Sequence, residues 1–384
     1  MSTHGASLDV SSRRYDLDWL RIIALTLLIF YHIGMYYSSW GWHVKSPHST
    51  SLINPFMDLM NPWRLPLLFF ISGVAFTYLF EKTGSLKFVR DRLSRLGPVI
   101  VFGVLVVVTP QSYFELLSQG AFSGSIIDFY PYYISFNHTN GVITPTWNHL
   151  WYVVYILTYS VLLTPIMPHL IFWANSLSKC AQSLKPRLII VFGFILFPSL
   201  PFIIWQITIT PHFADTKNLV WDWSNHAHFF SYLVLGVIAA KSDVFWRLAS
   251  RSTPYAVGVV LISIVLYALF WPSWETEDLH PFNWIASLAR PVYAWAVILV
   301  LLGMAARHLS FDGPARRYLT EAIFPVYVFH QTITVAVGYY LGDSSVGFWQ
   351  EFLALVGTTF VGSFAGFEIC RRVRALRPLV GLKL

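Results

Sequence analysis

Long apolar stretches alternate with short polar turns along most of this chain. A helix needs roughly 20 mostly apolar residues to cross the hydrocarbon of a bilayer. Ten stretches meet or approach that length, at roughly 17–37, 56–80, 97–117, 150–168, 187–210, 226–241, 254–272, 284–306, 318–340 and 348–370. The shortest is 226–241. No internal repeat, low-complexity run or soluble segment interrupts the series. The pattern predicts an all-α, polytopic integral membrane protein with about ten transmembrane helices, built as a single domain over residues 1–384. The first stretch runs past His32 to Tyr37 without a small-residue cleavage site, so it is expected to stay as a helix and not leave as a signal peptide.

Charge placement gives the expected orientation. Lys82, Lys87, Arg90, Arg92 and Arg95 follow the second stretch, and Lys179, Lys185 and Arg187 follow the fourth. Lys241, Arg247 and Arg251 follow the sixth, and Arg307, Arg316 and Arg317 follow the eighth. Arg13 and Arg14 precede the first, and Arg371, Arg372, Arg374 and Arg377 begin a basic tail over 371–384. The alternate turns are nearly free of Lys and Arg, with Lys45 and Lys217 as exceptions, and 273–283 carries Glu275, Glu277 and Asp278. Positive charge collects on the cytoplasmic side of membrane proteins, so both termini are expected there. Only 12% of residues are charged and 55% are hydrophobic, against about 25% charged in a soluble domain. The net charge of +7 therefore reads as membrane topology, and nucleic acid is not an expected partner. Cys180 and Cys370 form no disulfide framework. Aromatic residues reach 17%, with 16 Trp, and crowd the turns opposite the basic ones. An interfacial aromatic belt accounts for part of them. The remainder suit stacking on sugar rings.

Ionisable residues inside the apolar stretches narrow the chemistry. Arg21 and His32 lie eleven positions apart, about three helical turns or about 16 Å, on one stripe with Asp18, Leu25 and Leu28. Charged groups at such depth are costly and normally face a bundle interior or a wet cavity. Snorkelling of Arg21 and a packing role for His32 are the plainer alternatives. The second stretch holds Arg64 in "RLPLLFFISG", with Asp58 about two turns before it; Pro66 and Ser72-Gly73 there also suit a bend and close packing. His330 follows Pro325 in the ninth, Arg290 precedes Pro291 in the eighth, and His149 lies between Trp147 and Trp151. The spacing predicts that these histidines and arginines converge on one cavity. His226-Ala-His228 is too short a pattern for zinc, and no Walker loop, dinucleotide fingerprint or GxSxG elbow occurs. A membrane-depth histidine suits a general base for a hydroxyl. It suits a proton-coupled transporter equally.

Five ordered motifs decide between these. "RIIALTLLIFYH" and "RLPLLFFISG" resemble the first- and second-helix signatures of the membrane acyltransferase family of the acyltransferase 3 type, which O-acylates extracytoplasmic glycans. "YYSSWGWHV", "FMDLMNPWRLPLLFFISG", "HLWY" and "VYVFH" are similar to its glucan biosynthesis protein C branch, which succinylates osmoregulated periplasmic glucans. The resemblance runs from Asp16 to about Gly342. It implies a catalytic His32 paired with Arg21, and second-helix motif positions at Arg64 and Ser72. Asp58, His43, His149 and His330 match positions of the branch; Arg290 belongs to no motif of it. The resemblance makes His32 and Arg21 the expected catalytic pair, and chemistry adds His330 and Arg64 to that group to stabilise the oxyanion or the acyl carboxylate. Arg21, Ser72, Lys87, Arg90, Arg92 and Arg95 are expected to hold the acyl-CoA, although topology alone explains the basic turn. Trp40, Trp42, His43, Asp58, Trp147, His149, Trp151 and Arg290 are expected to meet the acceptor. The implied donor substrate is succinyl-CoA, the acceptor a periplasmic beta-glucan, and the location a bacterial inner membrane. No permanent cofactor or metal is implied, and a homo-oligomer stays open. Acetyl transfer to another polysaccharide, a transporter and a scaffold are the competing functions.

Overall fold

The structure is a computed structural model describing residues 13–182, 187–270 and 283–384. Lys185 and the acidic residues Glu275, Glu277 and Asp278 lie outside the described residues. Helix α1 (Tyr15–Tyr37) leads through a strap at 38–50 to α2 (Asn54–Thr83). Then come α3 (Ser85–Phe102), a π turn (Gly103–Val107), α4 (Thr109–Ser118) and α5 (Ile126–Ile134). A two-residue hairpin pairs His138–Thr139 with Val142–Ile143. The chain continues as α6 (Trp151–Leu163), α7 (Met167–Ala181), α8 (Leu188–Leu196), α9 (Leu200–Thr208), α10 (Trp223–Ala239) and α11 (Asp243–Phe270). It finishes as α12 (Asn283–His308), α13 (Pro314–Gly342), α14 (Phe348–Arg372) and a 3₁₀ turn (Arg374–Val380).

Over the described residues every predicted stretch falls on helix, and the last two positions of the stretch at 254–272 lie outside them. Eight helices among the described residues are long and apolar enough to span a bilayer. The stretch at 150–168 is not one straight span, because α6 and α7 meet at 81° and count as a ninth only together. The stretch at 226–241 is α10, whose 17 residues are shorter than a full span. It survives by packing against α2, where Gly73 and Gly236 face each other. A Cβ on Gly73 would lie 2.0 Å from the Leu233 carbonyl oxygen, and one on Gly236 would lie 2.1 Å from that of Phe70. The close-packing reading of "ISG" therefore holds. Thr77 uses the same approach, donating from Oγ1 to the Val237 carbonyl at 3.4 Å.

Burial sorts the helices. In α2, 72% of the apolar window is buried, against 12% in α11 and 22% in α14, so α2 is interior and the other two face outward. Helix α1 packs against α2, α12 and α13. Two features open space between them. Pro62 and Pro66 lie inside α2, and each removes a helical donor and loosens the backbone. The π turn redirects carbonyls, which side chains then satisfy. Tyr133 donates to Val104 at 2.7 Å, Tyr130 to Leu105 at 2.9 Å and Thr332 to Val107 at 2.5 Å.

The two ends of the bundle differ. One is rich in tryptophan and carries the 38–50 strap. Lys45 fixes the strap by donating to the carbonyls of Met35 at 2.6 Å, Trp40 at 3.0 Å and Ser38. Ser46 adds a bond to the fully buried Glu351 at 2.6 Å. Burial pushes the Lys45 ammonium down to about 8. The other end is rich in arginine. There Asp18 of α1 meets Arg316 of α13 at 2.6 Å, and Arg316 also meets Asp312 at 2.7 Å. Both Arg317 and Arg316 hold the Asp312 carboxyl well below its ordinary range.

Candidate active site

A cavity of about 840 Å³ lies in the half of the bundle nearer the tryptophan-rich end. Its rim includes exposed Gly41, Asp215 and Lys217. The proline-loosened part of α2 supplies one wall through Asp58, Asn61, Arg64 and Pro66. Of the expected site residues, His32, His43, His149, Arg64, Asp58, Arg290, Trp40, Trp42, Trp147 and Trp151 all line this one space. Of the residues predicted to converge, His32, His149, Arg64 and Arg290 meet here and are joined by His43, whereas His330 and Arg21 do not line the space.

His32 and His330 form a directed pair. The Nδ1 of His330 lies 2.5 Å from the Tyr327 carbonyl oxygen, which can only accept. His330 therefore carries its proton on Nδ1 and leaves Nε2 as an acceptor. That Nε2 lies 2.7 Å from Nδ1 of His32, so His32 donates from Nδ1 and keeps a lone pair on Nε2. The rings stack in parallel, with centroids 5.0 Å apart and planes 5° off. A backbone carbonyl thus sets the tautomer of the residue two bonds away. His330 is fully buried and backs His32 without lining the cavity.

His149 and His43 are held by an amide network, whereas His228 donates from Nδ1 to the Ser224 carbonyl at 3.1 Å. His149 donates from Nε2 to the Val328 carbonyl at 3.0 Å, and its Nδ1 faces the Gln111 amide at 3.3 Å. His43 binds Glu115 through Nδ1 at 2.5 Å and accepts from Gln331 at Nε2 at 3.0 Å. Gln111 joins these groups. Its oxygen accepts from Asn148 at 3.1 Å and Gln331 at 3.0 Å, while its amide also donates to Thr332 at 2.7 Å. Sequence reasoning missed Glu115, Gln111, Gln331, Tyr152 and Tyr31. The available signal was polar side chains within apolar stretches, which single no one of them out.

Arg64 is 2% exposed. Its guanidinium carbon sits 3.5 Å from the centre of the Tyr31 ring. Its Nε and Nη1 are buried and find no hydrogen-bond acceptor among the described residues. Asp58 and Arg290 line the same space and each has a partner. Trp151 is wall more than surface, because its ring packs against Phe69, Tyr155 and Phe229. Trp147 is fixed by donation to the Lys217 carbonyl at 3.0 Å. His226 is engaged by Tyr159 at 2.8 Å and by the Leu219 carbonyl at 2.9 Å.

Arg21, Ser72, Lys87, Arg90, Arg92 and Arg95 do not line the cavity. Arg21 lies toward the arginine-rich end of α1, 3.8 Å from Asp18. Ser72 bonds the hydroxyl of Tyr152 at 2.9 Å. Tyr152 lines the cavity and also lies within Coulomb range of Arg21 and Arg92, so it stands between the two halves. Arg92 turns inward over Phe76 at 4.5 Å, whereas Lys87 and Arg90 are exposed.

The acyltransferase domain family's profile matches residues 14–368. The chain is also similar to the glucans biosynthesis protein C of Escherichia coli K12, at 22% identity over 96% of this chain and 94% of that protein. The proteins of the same name from E. coli O1:K1 and O157:H7 match at 22% identity with the same coverage. No solved structure matches the chain.

Proposed function

The chain belongs to the acyltransferase domain family, and from that premise we propose that it carries an acyl group through the bilayer from a cytoplasmic thioester to the hydroxyl of an extracytoplasmic glycan. The arginine-rich end and both termini face the cytoplasm of a bacterial inner membrane, and the cavity opens outward. The donor is succinyl-CoA and the acceptor a periplasmic beta-glucan. The name of the E. coli relatives supports the glucan. Buried Arg64, with two unpartnered nitrogens beside His32, supports an acyl group bearing its own carboxylate, since guanidinium and carboxylate pair strongly away from water. An acetyl group brings no charge to meet those nitrogens.

One observation carries the reading: the His330-directed lone pair on His32 Nε2, in a cavity wide enough for a sugar. The acceptor enters past Trp40, Trp42 and Trp147. The donor's phosphates stay near Arg21, Arg92 and Arg95, and its arm spans the about 16 Å between Arg21 and His32. Movement at Tyr152 and Ser72 opens that path. His32 Nε2 takes the hydroxyl proton as the oxygen bonds the thioester carbonyl. The tetrahedral oxyanion then collapses, the C–S bond breaks, and the thiolate recovers the proton from His32. General-base assistance of this kind contributes about 10²–10⁴ in rate. His330 shares the transient positive charge, and His43 and Asp58 orient the sugar.

The test uses purified protein, succinyl-CoA and glucan, reading free CoA and the glucan mass. The wild type is expected to release CoA and add one succinyl unit per ester without any gradient, and His32→Ala to do neither while folding normally. Near-normal succinylation by His32→Ala overturns the assignment. Transport without CoA release overturns the activity.

A further inference from the structure

Ten buried side-chain nitrogen or oxygen atoms lack a hydrogen-bond partner among the described residues. Five belong to guanidinium groups. Two are the Arg64 atoms already described. The other three are the Nε atoms of Arg21, Arg92 and Arg377. Arg21 is on the early turns of α1, Arg92 is in α3, and Arg377 is in the C-terminal 3₁₀ turn. An orphaned buried donor calls for a specific explanation. A charged one points to a missing anion.

The C-terminal turn is built into the arginine-rich end. Arg95 of α3 donates from Nε to the Gly381 carbonyl at 3.2 Å. Leu382 donates its amide back to the Arg377 carbonyl at 2.9 Å. Val380 is fully buried. Gly381 has φ +73°, and a Cβ there would stand 2.5 Å from the Phe324 ring of α13 and 3.5 Å from Val99 of α3. Only glycine satisfies both the left-handed backbone and that contact. Arg95 in turn lies within Coulomb range of both Arg21 and Arg92. Among the described residues, Arg92, Arg95 and Arg377 ion-pair with no carboxylate, and the one acid beside Arg21 is Asp18 at 3.8 Å. Arg95 thus stands among like charges, and the turn that carries Arg377 is bonded to it through Gly381; cations gathered with so few acids form an unfavourable arrangement unless an anion enters.

We infer that the C-terminal turn completes a phosphate-binding site, in which Arg377 joins Arg21 and Arg92 in holding the phosphoryl oxygens of the thioester donor. This rests on the acyl-transfer reading and adds a residue to it. The exposed Lys87 and Arg90 supply attraction and no direct contact. Arg95 is a positioning residue that holds the turn through Gly381.

The probe is coenzyme A itself, with pantetheine as the form lacking phosphate groups. Each is titrated calorimetrically into the full-length protein in nanodiscs of neutral phosphatidylcholine. Wild type is expected to bind coenzyme A and to bind pantetheine far more weakly. Arg377→Ala and Arg377→Gln should weaken coenzyme A binding about tenfold or more and leave pantetheine unchanged. Arg377→Lys should recover part of the loss. Arg251→Ala, which removes an exposed basic residue of α11, should change neither. Equal thermal melting of the Arg377 variants excludes misfolding as the cause. If the Arg377 variants bind coenzyme A as wild type does while Arg92→Ala weakens it, the role of the turn is overturned and acyl transfer stands. If wild type binds no coenzyme A, the acyl-transfer reading itself falls. A defect that appears only with anionic lipid present makes the site a headgroup seat and also overturns the proposal.

Discussion

Replacing His330 tests the logic of the site most directly. In the native protein the Tyr327 carbonyl orders His330, and His330 orders His32, through bonds of 2.5 and 2.7 Å. His330→Leu keeps comparable bulk and removes both bonds. The Nδ1–H of His32 then has no acceptor in an apolar setting, which costs about 1–3 kcal/mol. The ring can relieve that cost by moving its proton to Nε2, which removes the base. At 1.36 kcal/mol per decade, turnover should fall by about 5- to 150-fold, with donor KM nearly unchanged because the arginines are untouched. His330→Gln offers an amide oxygen where Nε2 was and should recover part of the loss. The assay is thiol release from succinyl-CoA by purified protein with saturating glucan. His330→Leu turning over within twofold of wild type would refute the directed pair. So would a Gln variant as slow as the Leu variant.

Other consequences are equally concrete. Gly73→Ala or Gly236→Ala must push α2 and α10 apart, because each Cβ would meet a backbone oxygen at 2.0–2.1 Å; overpacking of this kind costs about 1–3 kcal/mol, read as a lower melting temperature. Arg64→Gln should erase a preference for succinyl-CoA over acetyl-CoA, measured as a ratio of kcat/KM values; an unchanged ratio removes Arg64 from carboxylate recognition. Lys45, labelled for NMR, should titrate near 8, against about 10.4 for a free lysine. Because its folded value is the lower one, burial of the ammonium opposes folding fully below pH 8. That cost relaxes as pH rises from 8 toward about 10.4, so the strap should not loosen across that window, and loss of stability there would contradict the assignment.

The sequence by itself determined the class of the molecule. Apolar stretches of spanning length can bury their backbone polar groups in lipid only as helices, so each of the ten stretches is helical over its described residues. It also determined where to look. His32, Arg64 and Arg290 were legible because ionisable groups within apolar stretches require a cavity or a partner, and Asp58 and His149 because they match motif positions of the glucan branch. Tertiary structure decided the rest. Whether α6 and α7 form one span depends on an 81° bend, and the survival of 17-residue α10 depends on a glycine contact from a distant helix. The tautomer of His32 depends on a carbonyl almost 300 residues away in sequence. Chain direction already sets Arg21 near the inner surface and Arg64 near the outer one, but that only Arg64 of the two lines the cavity was decided by packing. Helical period fixes depth and face for each residue. Which groups meet is set by the packing of helices far apart in the chain.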